Sequence, residues 1–562
     1  MDPDPDRFDS RRSTLHAPRG AVATSQPLAA RAGLAVLEDG GNAFDAAVAT
    51  AAALNVVEPT STGLGGDVFA LYHTADGEVG AMRACGGAPA DATRESVRRA
   101  LADDPDVDGD TPGEVEMPML GPHTVTVPGT ARGWEATARK LGTRPLGELL
   151  QPAIRYASEG YPVSEVISGH WSAAEGLFED RNAREAYLID GERAPGPGER
   201  VRLPRLAASM RAIADEGADV VYEGEIAEQI AAEVQSAGGF LRVEDLAAFE
   251  PEFPDPVSTT YHGTEVYELP PNNQGLIALE ALNVAEALGA GDYEPDDPEG
   301  LHRYAEATKL AFHDGHRYIT DPSYEDVPDL ASKAYAEERA ATVGDRALQD
   351  VSFGVPDTSA EDSAGGGPAD PREPDPPEDA DTVLLCVGDA EGNVVSYINS
   401  RFAGFGSGLV AGDTGIALQN RGASFSLDDD HPNRLAPGKR PFHTLVPAVA
   451  RFGADDWAAF GVMGGYMQPQ GHLQVIANVV DHGMPLQRAL DRPRWRYRED
   501  GSLAVEERFD VDDRLATKLA RKGHDVRVLP PSLFGGAQIV RNDGGTLSAA
   551  TEPRKGGVAI GY

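Results

Sequence analysis

Thr382 stands where a segment that cannot pack meets an apolar run. Residues 356–381 are mostly Pro, Gly, Ser, Asp and Glu, which offer too little apolar surface to offset the entropy of ordering, so they predict a mobile loop. A threonine hydroxyl becomes a good nucleophile when a base takes its proton, and an N-terminal threonine can use its own α-amino group as that base. Thr382 lies inside the chain, so its amine would arise only by cutting the Asp381–Thr382 bond.

The residues alone also allow a simpler interpretation. Two apolar runs, 383–387 and 394–398, flank the turn Asp-Ala-Glu-Gly-Asn, and this pattern predicts a β-hairpin. A β-branched residue such as Thr382 is common at the start of a strand. On this evidence both interpretations stay open, the ordinary strand start and the self-cleaving nucleophile.

Charge limits the classes of partner. The 562 residues can bury a large core, as one large domain or as two interlocked parts. The chain has 91 acidic and 49 basic residues, a net charge of −42, which disfavours nucleic acid and anionic membranes as partners. Acidic residues far outnumber basic ones and lysine is scarce, and this composition predicts a halophilic source. In molar salt the screening length shrinks to a few ångströms, so the self-repulsion of the chain becomes tolerable.

Two cysteines, Cys85 and Cys386, cannot build a disulfide framework, and we expect both to be small buried residues.

The first residues are acidic and contain no apolar core of a signal peptide. The longest apolar stretch, 46–57, is too short to span a bilayer. The sequence therefore predicts a soluble, cytoplasmic protein without a membrane partner.

Several segments resemble the γ-glutamyltranspeptidase family. The runs D-T-V-L-L-C-V-G-D-A-E-G-N-V-V-S from Asp381 and F-G-S-G-L-V-A-G-D-T-G-I-A-L-Q-N-R from Phe405 are similar to the start of its small subunit. The run A-L-N-V-V-E-P, followed by G-L-G-G, resembles its large subunit. Taken alone, G-L-G-G is weak evidence for a phosphate-binding loop.

The resemblance implies an α+β fold, the four-layer αββα sandwich of N-terminal-nucleophile hydrolases. It also implies a proenzyme that cuts itself before a threonine. Residues 1–381 would form a large-subunit region and residues 382–562 a small-subunit region, interlocked into one fold. The protein would then be a heterodimer of its own two fragments, and higher oligomers stay open.

The resemblance also implies roles for residues in the reaction. By this resemblance Thr382 would be the nucleophile, and Ser400 would be the hydroxyl residue that hydrogen-bonds the nucleophile and its amine. Gly464 and Gly465, after the apolar run 457–463, supply backbone N–H groups to the oxyanion. Without the resemblance, this Gly-Gly pair is an ordinary turn at the end of a strand.

The expected substrate pocket departs from the family pattern. Six positions carry other residue types: Cys85 for the arginine that holds the α-carboxylate, Phe402 for an asparagine, Arg421 and Ser424 for a Gln…Asp pair at the α-amino end, and His443 and Thr444 for paired serines. Losing the carboxylate that pairs with the ammonium is a large chemical change. Arg421 can bind an acidic group, and Arg83 lies two residues from the lost arginine.

Two classes of function follow. The first is a γ-glutamyltransferase or glutathione hydrolase, which passes a γ-glutamyl group through a Thr382 ester to water, an amino acid or a peptide. A related acylase with a glutaryl or cephalosporin-type donor belongs to the same class. The second is a non-catalytic binding relative, which the complete set of Thr382, Ser400, Gly464 and Gly465 argues against.

No cofactor and no metal are expected. His313 and His316 lie three residues apart on a predicted helix, with Asp314 between them. Because no third ligand follows at a known spacing, we interpret them as part of a solvated helical face.

We expect thermal stability to rise with salt. Self-repulsion of a chain of net charge −42 destabilises the compact state, and the Debye length falls from about 10 Å at 0.1 M salt to about 3 Å at 1 M. The Tm measured by calorimetry should rise markedly over that range, and sucrose at matched osmolality is the control for excluded-solute effects. A Tm that is flat or falls with salt would contradict a halophilic origin.

Overall fold

The computed structural model describes residues 12–102, 116–356, 382–509 and 514–562. The strands within these ranges are β1 Leu15–Ala17, β2 Gly20–Thr24, β3 Asp67–His73, β4 Val79–Ala84, β5 Tyr161–Pro162, β6 Arg200–Val201, β7 Val257–Tyr261, β8 Thr264–Glu268, β9 Val383–Asp389, β10 Val394–Ser400, β11 Val410–Ala411, β12 Ile416–Ala417, β13 Pro447–Gly453, β14 Asp456–Met463, β15 Trp495–Tyr497, β16 Leu503–Glu506, β17 Val526–Leu529, β18 Gly536–Asp543, β19 Thr546–Thr551 and β20 Val558–Gly561. The predicted loop 356–381, with Asp381, lies outside the described residues except for Pro356.

The α-helices in the same ranges are α1 Pro27–Glu38, α2 Ala43–Val57, α3 Arg94–Ala102, α4 Thr130–Lys140, α5 Leu146–Leu149, α6 Gln151–Glu159, α7 Glu165–Ala173, α8 Arg181–Tyr187, α9 Pro204–Glu216, α10 Glu225–Ser236, α11 Val243–Ala247, α12 Gly275–Ala287, α13 Pro298–Tyr318, α14 Lys333–Ala340, α15 Met467–Val480, α16 Leu486–Asp491 and α17 Leu515–Lys522.

Two antiparallel sheets contain most of the strands. One has seven strands in the order β1-β19-β18-β14-β13-β8-β7, and the other has six in the order β20-β2-β9-β10-β3-β4. Strands that precede and strands that follow the Asp381–Thr382 bond occur in both sheets. In the six-stranded sheet, β9 lies between β2 on one edge and β10 on the other.

The side chains of β9 alternate between two cores. Leu384 and Cys386 lie in an apolar cluster that also holds side chains of the seven-stranded sheet. Val383, Leu385 and Val387 point the other way, into a cluster with helix α2. Strands buried on both faces in this way read as continuous apolar runs, which is how 383–387 appears in the sequence.

The seven-stranded sheet is covered in the same way. Val449 and Ala459 face the six-stranded sheet, whereas Phe460 and Val462 pack outward in a cluster that includes residues of α12, α13 and α15. The layers are therefore helix, sheet, sheet and helix, which confirms the predicted αββα sandwich.

Helix α2 contains the apolar stretch 46–57. The Asn42 side chain accepts hydrogen bonds from the backbone N–H groups of Phe44 and Asp45, and the Asp45 carboxylate accepts one from the Asn42 N–H, which together form a capping box. Every residue from Ala43 to Val57 is buried. Neither this helix nor any other in the described ranges is long and apolar enough to cross a membrane.

One expectation about α13 is wrong. His313 and His316 are half-buried rather than solvated. His313 Nε2 lies 3.2 Å from the Tyr497 hydroxyl, and the His316 ring packs against Phe442 and Tyr466. Residues far along the chain cover this face, so local spacing did not reveal its burial.

Candidate active site

Three polar side chains lie in a row at one end of the six-stranded sheet. Val383 pairs with Asn399, so the ladder continued by one residue brings Thr382 opposite Ser400, and Ser400 pairs with Asp67 of β3. Directly opposed residues of antiparallel strands point to the same face, and the alternation along β9 turns this face toward the seven-stranded sheet. Thr382 is only 3% exposed, and the other two side chains are fully buried.

The turn after Ser400 is strained. The Phe402 N–H donates to the Ser400 hydroxyl over 2.8 Å, and Phe402 has a φ of +84°. Aromatic residues seldom adopt this left-handed region, and such strain is often found at functional sites. The turn brings the Phe402 ring against Arg421, whose guanidinium carbon lies 4.5 Å from the ring centroid.

Gly464 and Gly465 form the turn that links β14 to α15. Their φ angles are +116° and +54°, and a Cβ on Gly464 would lie 3.0 Å from the Cα of Gly535. Both positions therefore favour glycine for conformation, and the first also for space. Three residues before the turn, Gly461 packs against the side chain of Leu384, which fixes the end of β14 over the start of β9.

Hydrogen bonds hold this Gly-Gly turn in place. Gln274 donates from Nε2 to the carbonyls of Thr444 and Gly465, at 2.8 and 3.0 Å. Behind β14, the His472 Nδ1 lies 2.7 Å from Glu268 Oε1, and the Val462 N–H donates to His472 Nε2 at 3.3 Å. Both members of this histidine–glutamate pair are fully buried.

Arg421 is a buried cation with spare donors. Its side chain is fully buried, and Nη1 donates to the Thr444 hydroxyl over 2.8 Å. Within the part of the chain that the structure describes, its Nε and Nη2 have no hydrogen-bond partner. Burial lowers the pKa of this guanidinium to about 10, and the nearby Asp67 acts in the opposite direction.

Asp67 and His443 form a buried acid–imidazole pair. The Asp67 Oδ2 lies 3.0 Å from His443 Nε2, and Oδ1 accepts hydrogen bonds from the Gly129 N–H and the Gln419 side-chain amide, both at 3.1 Å. Burial raises the pKa of Asp67 to about 7, while Arg421 and the two donors to Oδ1 oppose the shift. Burial also holds the pKa of His443 well below its usual range.

The glycine-rich turn that precedes Asp67 serves packing. A Cβ on Gly66 would lie 2.4 Å from the carbonyl oxygen of Ser400, and a Cβ on Gly65 would lie 2.3 Å from that of Ala417. The turn therefore seats Asp67 against the end of β10, and the Gly65 carbonyl accepts a hydrogen bond from the Gln419 N–H. This close approach of backbones explains the G-L-G-G run without a phosphate.

Arg83, the other predicted pocket arginine, has its donors engaged elsewhere. Its guanidinium pairs with Glu252 at 2.6 Å and donates to the Pro271 carbonyl at 2.5 Å. Ser424 ends the short turn of 3-10 helix that begins at Arg421, and its carbonyl accepts from Asn433. The structure thus brings Arg421, Thr444 and His443 together and leaves Arg83 in a separate ion pair.

Cys85 and Cys386 are free and buried, as predicted. Burial raises the pKa of the Cys85 thiol to about 12, with a contribution from the nearby Asp67. The Asn272 side-chain nitrogen lies 3.9 Å from its sulfur. Cys85 is therefore a neutral neighbour of the acid–imidazole pair rather than a reactive thiol.

Sequence reasoning missed two polar members of this site. Asp67 directly follows the G-L-G-G run, and Gln419 lies two residues before Arg421 in the family-like run. The only local signal was a charged residue at the start of an otherwise apolar strand. A buried charge of this kind requires partners, and such a residue is a candidate for function.

A second buried cluster contains ligand-type residues. The ligand atoms of His302, Glu306 and His524 lie within 4.8 Å of one another. His302 Nδ1 lies 2.9 Å from His524 Nε2, its Nε2 donates to the Gly344 carbonyl, and Glu306 accepts from the Lys309 ammonium at 2.8 Å. The ammonium already balances the carboxylate, so we interpret this cluster as a structural hydrogen-bond network.

Comparisons with known proteins agree on a family. The profile described as gamma-glutamyltranspeptidase matches residues 29–562. The glutathione hydrolase-like YwrD proenzyme of Bacillus subtilis is 36% identical, over 96% of this chain and 98% of its own length. The oxamate amidohydrolase proenzyme of Klebsiella pneumoniae is 37% identical, over 97% and 98%. The crystal structure of cephalosporin acylase from Bacillus halodurans has a TM-score of 0.88 and 42% identity, and it covers 100% of this chain and 99% of that one.

Proposed function

The chain belongs to the γ-glutamyltranspeptidase family, and from this premise we propose that it is a self-processing amidase whose acyl donor carries a free carboxylate. The observation that carries the proposal is Arg421, a fully buried cation with two donors that have no partner among the described residues. A buried polar group left without a partner is costly, and a charged one more so. A carboxylate accepts two parallel N–H bonds from a guanidinium, which is the geometry that these two nitrogens offer.

The reaction requires an N-terminal Thr382. Its hydroxyl oxygen attacks the amide carbonyl of the donor, and its own α-amino group takes the hydroxyl proton. The negative charge that develops on the carbonyl oxygen faces the backbone N–H groups of the turn at Gly464 and Gly465. When the C–N bond breaks, the leaving amine takes that proton, and water then hydrolyses the Thr382 ester to release the acid.

Ser400 acts beside the nucleophile in this proposal. It faces Thr382 when the β9–β10 ladder is continued by one residue, and its hydroxyl would hydrogen-bond the α-amino group or the nucleophile. Cross-strand neighbours are about 5 Å apart at Cβ, so no other strand needs to move to complete the contact.

Cleavage would leave the two fragments interlocked. Strand β9 starts one residue after the proposed cut and pairs with β2 from the N-terminal part, and β10 pairs with β3 from the same part. We therefore propose a heterodimer of residues 1–381 and 382–562, which shares both sheets and does not separate without unfolding.

The relatives supply chemically compatible donors. Oxamate is an amide that carries a carboxylate, and it is the substrate in the name of one relative. One of the similar solved structures bears the name of a cephalosporin acylase. A γ-glutamyl donor is the second candidate, favoured by Asp67, whose carboxylate shares the buried region with Arg421 and can meet an α-ammonium group.

Self-cleavage is the first test. Denaturing electrophoresis of the purified protein should resolve two fragments, and sequencing of the smaller one should begin at Thr382. Thr382→Ala should leave only the full-length precursor, because it removes the attacking hydroxyl. Thr382→Ser is the matched control and should still be cut. A single full-length band from an active preparation would contradict the proposal.

The donor is tested with three anilides that share one leaving group. We expect kcat/KM for glutaryl 4-nitroanilide to exceed that for pentanoyl 4-nitroanilide by on the order of a hundredfold, since charged hydrogen bonds contribute about 1.5–3 kcal/mol and about 1.4 kcal/mol is tenfold. Arg421→Gln should remove most of this preference. Arg83→Gln is the matched control: it should lower stability through the loss of the Glu252 ion pair and keep the preference.

The same panel separates the two candidate donors. If Asp67 does not recognise an ammonium group, γ-glutamyl and glutaryl 4-nitroanilide should differ by no more than about tenfold (about 1.4 kcal/mol). A preference of a thousandfold or more for the γ-glutamyl donor would make the second candidate the function. Equal turnover of glutaryl and pentanoyl donors by the wild-type enzyme would refute the carboxylate anchor.

The pair behind the Gly-Gly turn gives a test of the oxyanion site. His472→Leu removes the acceptor of the Val462 N–H and the partner of Glu268, so the turn at Gly464 should lose its fixed position. We expect kcat to fall by about tenfold or more, which corresponds to about 1.4 kcal/mol, with KM changed little. His482→Leu, beyond the other end of the same helix, is the control and should leave kcat unchanged.

A further inference from the structure

We propose that Asp67 is a proton-accepting counter-charge to Arg421, so that the carboxylate of an acyl donor enters the pocket together with one proton. The inference rests on the proposed function, since it takes Arg421 as the anchor of that carboxylate. It makes Asp67 a positioning residue of the site, and it couples donor binding to the uptake of one proton.

Hydrogen bonding identifies the group that takes the proton. The Leu445 N–H donates to His443 Nδ1 over 3.2 Å, so the ring proton of the neutral imidazole lies on Nε2 and is donated to Asp67. Protonation of this ring would break the bond from Leu445 in a fully buried place. The carboxylate is therefore the member of the pair that changes its charge.

Two other groups that face the Asp67 carboxylate stay uncharged near neutral pH. Burial raises the pKa of the Cys85 thiol to about 12. Burial also raises the pKa of Tyr222 above its usual range, and its hydroxyl donates to the Pro128 carbonyl over 2.9 Å. The phenol of Tyr466 acts on Arg421 and not on Asp67.

Two more charges lie nearby. Arg83 acts on His443 and disfavours its protonated form, while its own charge is balanced by Glu252. The α-amino group that cleavage would create on Thr382 lies two strands from Asp67 along the row through Ser400. In the experiment below, titration of that amine affects both donors equally, so it cancels in the ratio of their kcat/KM values.

Charge balance supplies the driving force. Without a donor, an ionised Asp67 offsets the Arg421 cation, and the buried region is neutral. A donor carboxylate on Arg421 would leave one uncompensated negative charge, which is costly in a buried site. Because burial already raises the pKa of Asp67 to about 7, one proton restores neutrality at little cost near that pH.

The consequence is a pH dependence specific to donors that carry a carboxylate. Above pH 7, an increasing fraction of the free enzyme has an ionised Asp67 and must take up a proton to bind such a donor. The penalty approaches tenfold per pH unit, because one proton is bound per donor. A donor without the carboxylate binds to either form, so its reaction follows only the groups that both donors share.

The test is the ratio of kcat/KM for glutaryl 4-nitroanilide to that for pentanoyl 4-nitroanilide, measured with the cleaved wild-type enzyme between pH 6 and pH 8.5 at one salt concentration. The two donors differ only in a terminal carboxylate against a methyl group, so the ratio cancels the Thr382 amine and the leaving group. We expect the ratio to be level near pH 6 and to fall at least tenfold by pH 8.5. Titration of Arg421, whose pKa is about 10, contributes little in this range.

Two variants assign the titrating group. Asp67→Asn is neutral at every pH, so its ratio should stay level. Gln419→Met removes one donor to the Asp67 carboxylate while keeping the side-chain size, which should raise the pKa of Asp67 and move the fall to higher pH. The second variant supplies the assignment even if Asp67→Asn does not fold.

The outcomes separate this inference from the proposed function. A ratio well above one that stays constant with pH would overturn the proton coupling and leave the carboxylate anchor intact. A ratio near one at all pH values would instead remove the anchor. A γ-glutamyl-to-glutaryl ratio that rises with pH would also overturn the inference, because an ionised Asp67 would then be the ammonium site.

Discussion

The position of Thr382 depends on β9 being held on four sides. A chain terminus usually frays, because it lacks neighbours on at least one side. Here β9 pairs with β2 and β10 along its two edges, and its two faces pack into different apolar clusters. In the proposed cleaved enzyme, Thr382 directly precedes this strand, so the packing of β9 fixes its position. The proposed reaction requires the hydroxyl, amine and carbonyl to be aligned within hydrogen-bond distance, and pre-organisation of this kind would provide that alignment.

The second determinant is a set of polar loops that hold the site against β9. Asn272 accepts from the His443 N–H through its carbonyl and donates to the Pro441 carbonyl through its side chain. Gln274 reaches both the loop that carries Thr444 and the turn at Gly465. These bonds join the acid–imidazole pair, the arginine and the Gly-Gly turn into one buried network. Such a network is rigid when its members are satisfied. Arg421 keeps two donors, Nε and Nη2, that have no partner among the described residues and that a ligand could use.

Sequence reasoning succeeded where the determinants are local. The two apolar runs and the turn residues of the hairpin are specified by neighbouring residues. The resemblance then extended these elements to the four-layer fold. Sequence reasoning failed to predict the burial of His313, because residues distant in the chain, such as Tyr497, cover that face of the helix. It also had no means to tell Arg421 from Arg83, since the difference lies in the Glu252 ion pair, 169 residues from Arg83.

The acidic surface and a cationic pocket are compatible because they act over different ranges. The net charge of −42 repels an anionic donor through solvent, and this repulsion has a range of about one Debye length, about 3 Å in molar salt. The proposed contact with Arg421 would take place in a buried region, where screening by mobile ions is weak. High salt would therefore remove the long-range penalty and preserve the short-range attraction. The proposed anionic acyl donor and the predicted preference for high salt are therefore compatible with each other.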